Sequence, residues 1–450
     1  MYIKIPENTT HIINLLKDNG YDAYLVGGCV RDMIMQKEPN DWDICTSARP
    51  ETVAAMFANT INTGLKHGTV TVVEDGEMYE VTTFRKDCGY SDGRRPDRVD
   101  FINDLKDDLS RRDFTINAIA YDIFNNEFID PFNGKEDINK GIIKCVGNPN
   151  ERFKEDGLRI LRAIRFSARY GFYIDKDTEN AMINNKNNLK NISNERICSE
   201  FTKTLQTDYP EYLMNYPDIL CEIIPEFIPT LNYDQHSTWH NRNLYDHMKY
   251  ALSCAGNLCS QGENFDLITN LSIMFHDISK PDCKTEDNDG HYHFKGHGKA
   301  SAETTERILK RLRFDNKTIE KVKQLIFYHD STIEDSKKSI KRWLNRLGEE
   351  QFNRLLQIRI CDILAQDWKY FKERYDKIYR IKRLSKVTLK ESSCFSIKNL
   401  AINGNDLISI GIPSGKNIGI ILNDLLNLVI DGKINNEKSS MINYVSEHNH

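Results

Sequence analysis

A chain of 450 residues, 39% of them hydrophobic, is long enough to form roughly two to four domains with cores of their own. A formal net charge of −5 argues against indiscriminate adhesion to nucleic acid. The sequence has neither an 18-residue apolar run nor a basic-then-apolar leader, so a cytoplasmic protein with no membrane partner is expected. Eleven cysteines, scattered without a C-x-x-C pair, read as free thiols in a reducing compartment and speak against a cysteine-built zinc site.

Residues 1 to about 135 alternate short β-rich runs (AYLVGG, TVTVVED, MYEVTTF, FIDPF) with helical patches, the pattern of a mixed α/β unit. In LVGGCVRDMIMQ a strand ends at Gly27-Gly28 and a helix follows. Such a turn lets a phosphate approach the backbone and the helix N-terminus, with Arg31 adding positive charge, although a Gly-Gly pair is often only a turn. In DWDICT, read as a strand, Asp41 and Asp43 project to one face, with Trp42 and Ile44 on the other. Two carboxylates on one face need a cation between them, and hard oxygen ligands suit Mg²⁺. Glu80, on the apparent neighbouring strand YEVTTFR, either completes a metal-holding trio or is an exposed edge residue. In RRDFTINA, Asp113 and Asn117 fit either a ribose hydroxyl or a cap or buried polar network.

From about 140 to 230 the pattern is helical, and ERFKEDGLRILRAIRFSARYGF (151–172) reads as one helix. On it Asp156 and Arg159, three apart, share a face. A carboxylate accepting from an exocyclic amino group, beside a guanidinium donating to an unprotonated ring nitrogen, would take cytosine and adenine and refuse uracil and guanine. Arg159, Arg162, Arg165 and Arg169 fall within an arc of about 120°, with Leu161, Ile164 and Ala168 turned away. The stripe is either an anion-binding surface or, at Arg169 most readily, a solvated face.

From 235 to 390 the chain stays helical, interrupted by polar loops near 262 and 285, and gathers most of the histidines. His247, His276, Asp277, His297, His329 and Asp362 follow one another in HNRNLYDHMKYAL, LSIMFHDISK, HFKGHGKASAE, LIFYHD and RICDILA. Nitrogen and oxygen ligands of this kind suit one or two divalent ions. Between Lys337 and Lys390 there are 16 Lys and Arg against 6 Asp and Glu, a local excess of +10. That excess is either a solvated helical face or a phosphate-contact surface. The last segment, AINGNDLISIGIPSGKNIGIILNDLLNLVIDGKINNE, reads as two short helices joined by a Pro-Ser-Gly turn.

In order and spacing, LVGGCVRD…DWD, RRDFTINAIAYD (111–122) and the 151–172 segment resemble the successive motifs of bacterial class II tRNA nucleotidyltransferases, the CCA-adding enzymes. The similarity covers nearly the whole chain. It implies an α+β multidomain fold. Residues 1–138 would form a nucleotidyltransferase palm, a mixed sheet with helices, and residues 139–230 an all-helical neck with the base-recognition motif and an RNA-binding region. An HD helical domain over 231–390 and a helical tRNA-binding tail over 391–450 would follow. The resemblance further implies Asp41, Asp43 and Glu80 as catalytic residues, the two aspartates holding Mg²⁺. Gly28, Arg31, Arg112, Asp113, Asn117, Asp156, Arg159, Arg162 and Arg165 would bind nucleotide, and the partners would be ATP, CTP and the tRNA acceptor arm.

The histidine-rich set resembles an HD-domain phosphohydrolase centre holding a second divalent metal. Hydrolysis of a phosphate at an RNA end is what that likeness implies; a helical body with vestigial histidines is the alternative. NTGLKHGTVTVV (62–73) resembles the strand pair of CCA-type enzymes rather than the arginine-rich counterpart in bacterial poly(A) polymerases. RKDCGYSDGRRPDRVDF (85–101) resembles the loop with which full enzymes switch to adding A. An A-adding enzyme keeps the loop and the base-reading motif, so it and a poly(A) polymerase stand as alternatives. Oligomeric state is left open.

Overall fold

The structure is a computed structural model that describes residues 3–89, 98–236, 241–391 and 395–448. The chain divides into two compact units, Met1–Pro225 and Glu226–His450.

The first unit opens with α1 (Glu7–Asp18), β1 (Ala23–Val26), α2 (Gly28–Ile34), β2 (Ile44–Thr46), α3 (Pro50–Met56) and β3 (Thr60–Gly64). Next come β4 (Thr69–Glu74), β5 (Glu77–Thr83), β6 (Arg85–Cys88), β7 (Arg98–Phe101), α4 (Leu105–Ser110), β8 (Ala120–Asp122), β9 (Glu127–Ile129) and α5 (Gly134–Lys140). Seven strands form one mixed sheet in the order β3-β4-β5-β2-β1-β8-β9. Within it β2 and β5 run parallel, Ile44 beside Val81, and the other neighbours are antiparallel. Alternation specifies the strands: in TVTVVE, Val70 and Val72 are fully buried while the intervening threonines are half-buried. Val26, Cys45, Phe84, Leu109, Ala118 and Ala120 close a core beneath the central strands. The 85–101 segment contributes the antiparallel pair β6–β7; residues 90–97, the middle of the expected switching loop, lie outside the described residues.

Five helices follow: α6 (Pro149–Glu155), α7 (Leu158–Tyr170), α8 (Lys176–Asn184), α9 (Asn194–Leu205) and α10 (Pro217–Ile223). The helix expected over 151–172 is two helices. Asp156 leaves helical geometry (φ −145°, ψ 107°) and its carboxylate accepts from the Leu158 amide at 3.0 Å. An aspartate that bonds the backbone two residues on competes with the helical ladder, and here it wins.

The second unit is helical apart from one short hairpin at 285–293. Its helices are α11 (Leu244–Ser260), α12 (Leu267–Phe275), α13 (His297–Arg311), α14 (Asn316–Tyr328), α15 (Lys337–Leu364) and α16 (Trp368–Lys390). Asn243, Asp266 and Asp315 cap α11, α12 and α14 by accepting from backbone amides three residues on. α15 bends at Gly348, whose φ of +74° few other residues adopt. The C-terminal segment forms α17 (Gly404–Ser409) and α18 (Lys416–Ile430) across the expected turn, and then a third helix, α19 (Lys438–His448). Met441 and Val445 of α19 join Leu407, Ile421 and Leu425 in a small core, which is why the pair is a trio.

Candidate functional site

In the first unit a cleft of about 390 Å³ is lined by Gly27, Gly28, Arg31, Asp32, Asn40, Asp41, Asp43, Arg112, Asp113, Asn117, Arg162, Arg165, Phe166 and Arg169. β1 delivers the glycine turn, the approach to β2 delivers the aspartates, and α7 supplies the arginine row. Gly27 has φ +77°, and a Cβ there would stand 3.0 Å from Arg112 Nη1 and 3.7 Å from Asp43 Oδ2. A side chain at this point would therefore both strain the backbone and intrude on the cleft.

DWDICT is a strand only from Ile44 onward. Asp43 still joins the sheet, its carbonyl accepting from the Val26 amide at 3.0 Å, while Asp41 precedes it on exposed chain. The expected strand alternation therefore does not set their geometry; the ladder ends where the carboxylates begin. Glu80 of β5 is exposed, and it and Asp43 each precede one member of the Ile44–Val81 register pair. Burial raises the Asp43 carboxyl to about 6, and repulsion from Asp41 and Glu80 adds to the rise against the pull of Arg112 and Arg31. A buried carboxyl with two more carboxylates acting on it suits a divalent cation, and hard oxygen donors of this kind fit the expected Mg²⁺.

The arginines are held by one another's partners. Arg31 donates to Asp32 from Nε (2.9 Å) and to Asn117 Oδ1 from Nη1 (2.6 Å). Asn117 donates to Asp113 Oδ1 at 3.1 Å, and Arg162 donates to Asp113 Oδ2 from Nε at 2.8 Å. Burial pushes the Asp113 carboxyl up, but Arg162, Asn117 and Arg159 outweigh it and hold it at about 2. Phe166 lies beneath the row, its ring centre 5.5, 5.4 and 4.2 Å from the guanidinium carbons of Arg31, Arg162 and Arg165. Arg165 pairs with buried Glu200 at 2.5 Å.

Asp156 and Arg159 do not line this cleft; the Arg159 amide donates to the Asp156 carbonyl at 3.0 Å, and their side chains turn to other partners. Arg196 holds Asp156, with Nη2 at 2.6 Å from Oδ2. Arg159 donates to Glu155 at 2.5 Å and to the Arg111 carbonyl at 3.0 Å. The one-helix geometry expected for this pair is thus corrected by the break at Asp156. Asp32, Phe166, Arg196 and Glu200 were not singled out in the sequence. Asp32, adjacent to Arg31, and Phe166, next to Arg165 on α7, carried a local signal; Arg196 and Glu200 arrive from α9.

In the second unit Asp277 stands between two histidine pairs. Its Oδ2 lies 3.1 Å from His276 Nε2 and 3.6 Å from His247 Nε2, and its Oδ1 lies 3.3 Å from His297 Nε2 and 3.4 Å from His329 Nε2. Asp362 Oδ1 completes the first pair at 3.2 Å from His247. The helix arrangement brings all six expected residues together. Each imidazole has Nδ1 against a backbone carbonyl: Ala365 for His247 (3.4 Å), Ile273 for His276 (2.8 Å), Phe294 for His297 and Ile326 for His329 (both 2.7 Å). Carbonyls only accept, so each Nδ1 carries a proton and each Nε2 points inward, offering a lone pair when its ring is neutral. The facing Nε2 atoms are 3.3 and 3.2 Å apart, a repulsive contact unless a cation lies between them. Although burial opposes it, Asp277 and Asp362 draw the His276 imidazole up to about 10, the same demand for positive charge. The donor set fits divalent metal. Lys280, three residues after Asp277 and 2.6 Å from its Oδ2, was not singled out despite that short spacing. Together with Gln366 and Arg374 it lines an adjoining cavity of about 340 Å³. Among the described residues, the trios of His, Cys, Asp or Glu with ligand atoms all within 4.8 Å of one another lie here.

The description "Poly A polymerase head domain" matches residues 23–144, "Probable RNA and SrmB- binding site of polymerase A" matches 171–228, and "tRNA nucleotidyltransferase domain 2 putative" matches 296–445. The chain is 32% identical over 438 residues to the CCA-adding enzyme of Lactobacillus helveticus, covering 97% of this chain and 96% of that one. It is 32% identical over 450 residues to the CCA-adding enzyme of Lactobacillus johnsonii, covering 98% of each. Its structure is similar to that of the Bacillus stearothermophilus CCA-adding enzyme in complex with CTP, with a TM-score of 0.66 and 29% identity over 99% of this chain and 98% of that one. No described helix is long and apolar enough to cross a membrane. With relatives aligned over nearly its full length, a mixed-sheet head and a carboxylate-lined cleft under an arginine row, the chain belongs to the CCA-adding enzymes, the tRNA nucleotidyltransferases.

Proposed function

We propose that the protein adds CCA to tRNA 3′ ends from CTP and ATP in the cytoplasm, with residues 1–138 as the catalytic head, 139–230 as the base-reading neck, and 231–390 and 391–450 as HD body and tail. The observation that carries this reading is the cleft in which Gly27–Gly28, Asp41, Asp43 and the arginine network converge. The tRNA 3′ oxygen forms a bond to the α-phosphorus as the bond to pyrophosphate breaks. Mg²⁺, held by Asp41 and Asp43 with Glu80 beside them, would activate the attacking hydroxyl and stabilise the leaving pyrophosphate. Arg112, Arg162 and Arg165 line the cleft and would take the triphosphate, and Asp113 and Asn117 fix the donor directions of Arg162 and Arg31. Asp156, oriented by Arg196, accepts from the exocyclic amino group of C or A, and Arg159 donates to the ring nitrogen.

Transcripts ending at the discriminator base, at C and at CC, incubated with CTP, ATP and Mg²⁺, test this reading. Completion of CCA on all three, with UTP and GTP refused and Asp41→Ala inactive, is expected. Extension of the CC-ended transcript alone would mean an A-adding enzyme, and long A tails a poly(A) polymerase.

A second activity, metal-dependent phosphoester hydrolysis in the HD body, is supported by Asp277 bridging two pairs of inward-facing Nε2 atoms. Cleavage of bis(p-nitrophenyl) phosphate with added Mn²⁺, lost in Asp277→Ala while CCA addition persists, is expected. No cleavage with any divalent ion would leave the histidines vestigial.

A further inference from the structure

We infer that one face of α16 is a rail for the phosphate backbone of the tRNA, an assignment that rests on the tRNA reading above. Lys372, Arg383, Lys386 and Lys390 are exposed and, with exposed Tyr379, recur at steps of 7, 4, 3 and 4 residues. On a helix of 3.6 residues per turn these steps keep all five within an arc of about 60°, along about 27 Å of axis. None of the four cations has a carboxylate within 4.0 Å among the described residues. The opposite face, with Ile378, Ile381, Ser385 and Thr388, is buried against α15.

Most of the rest of the basic stretch is spent on the fold; Lys341, Lys369 and Lys377 also have no carboxylate within 4.0 Å among the described residues, but they lie off this row. Lys337 pairs with Glu391 (2.8 Å), Lys338 and Arg342 with Asp431 (3.1 and 2.7 Å), Arg380 with Asp335 (2.8 Å) and Lys382 with Glu263 (2.6 Å). The local excess of positive charge therefore separates into cations that hold helices together and cations left over, and these four left over lie on one line. Arg383, Lys386 and Lys390 repel one another at helical spacing, which a polyanion laid along the helix would relieve. A straight row suits a phosphodiester strand better than a point anion, and the Tyr379 ring offers a flat surface to a ribose or base. Membrane binding would need a broad apolar band beside the cations; next to this stripe the described residues offer Val387, and acidic Asp376 borders it.

The test is Arg383→Gln, Lys386→Gln and Lys390→Gln together in the full chain, with tRNA transcript affinity measured by filter binding between 50 and 200 mM salt. Affinity is expected to fall roughly tenfold, and the slope of log K against log salt to shrink by about two to three. KM for CTP at saturating tRNA stays unchanged. Lys337→Gln with Lys338→Gln, which removes fold-directed cations, leaves affinity and slope alone. Each single substitution shrinks the slope by about one, which decides the matter should the triple variant unfold. Unchanged affinity and slope in a variant that still extends tRNA overturns the rail alone, and wild-type protein that binds no tRNA overturns the underlying reading with it. Loss of binding to phosphatidylserine vesicles with tRNA affinity intact also overturns the rail.

Discussion

Asp156 is gripped by Arg196: Nη2 lies 2.6 Å from Oδ2 and Nη1 lies 3.3 Å from Oδ1. A carboxylate held by one guanidinium keeps lone pairs for a second donor but loses its freedom to rotate. If Asp156 reads the base as proposed, Arg196 is a positioning residue for base choice. Arg196→Ala is expected to lower the ratio of kcat/KM for CTP over UTP by about tenfold or more, with pyrophosphate release from correct substrates less affected. An unchanged ratio would detach Arg196 from base selection.

Asp43 makes a prediction about stability and pH. Its carboxyl is raised by burial, and by Asp41 and Glu80, from 3.8 to about 6. In metal-free protein the neutral form is therefore favoured on folding. That contribution is fully present below about pH 4, and it is lost as pH rises through 6. Asp43→Asn removes a penalty of about 2–3 kcal/mol at pH 7.5, raising Tm by several degrees in the presence of chelator. The gain disappears near pH 4, and it narrows when Mg²⁺ is added to the wild type. Scanning calorimetry across this range checks it; CCA addition is abolished throughout.

Asp113 carries the opposite sign. Though burial opposes it, Arg162, Asn117 and Arg159 lower its carboxyl from 3.8 to about 2. Its stabilisation is fully present above about pH 4 and lost as pH falls through 2. Asp113→Asn is expected to cost about 2 kcal/mol at pH 7, read by urea unfolding. It also frees Arg162 and raises KM for CTP. A variant as stable as wild type would mean that Arg162 finds another partner.

The histidine centre predicts a metal count. In an Asp41→Ala, Asp43→Ala background, which disables the palm, protein loaded with Mn²⁺ and desalted should hold about two ions per chain. Adding His297→Ala should leave about one, because the Asp277 Oδ1 side loses a ligand, and adding Asp277→Ala should leave none. Plasma mass spectrometry gives the count, and two ions retained in Asp277→Ala would refute the bridge.

What the sequence determined by itself was local chemistry in local order. The glycine turn, the aspartates two apart, RRDFTINA and the histidine series each sit within a few residues of one another or recur in a fixed order. The family and its expected residues were therefore legible before any coordinates. Helical periodicity likewise set the arginine row of α7, and a count of charges alone showed the basic stretch after Lys337.

Where the strands and helices end was decided by competition that a pattern does not express. Asp156 prefers its own backbone to the helix, and the β2 ladder stops before Asp41. Partners more than thirty residues apart, such as Arg196 for Asp156, Glu200 for Arg165 and Lys337 for Glu391, were invisible until packing placed them within bonding distance. The histidine centre shows both sides. Its residues were readable in order, but only the fold of α11 to α15 could turn every Nδ1 to a carbonyl and every Nε2 toward Asp277, because ring orientation is set by tertiary hydrogen bonds.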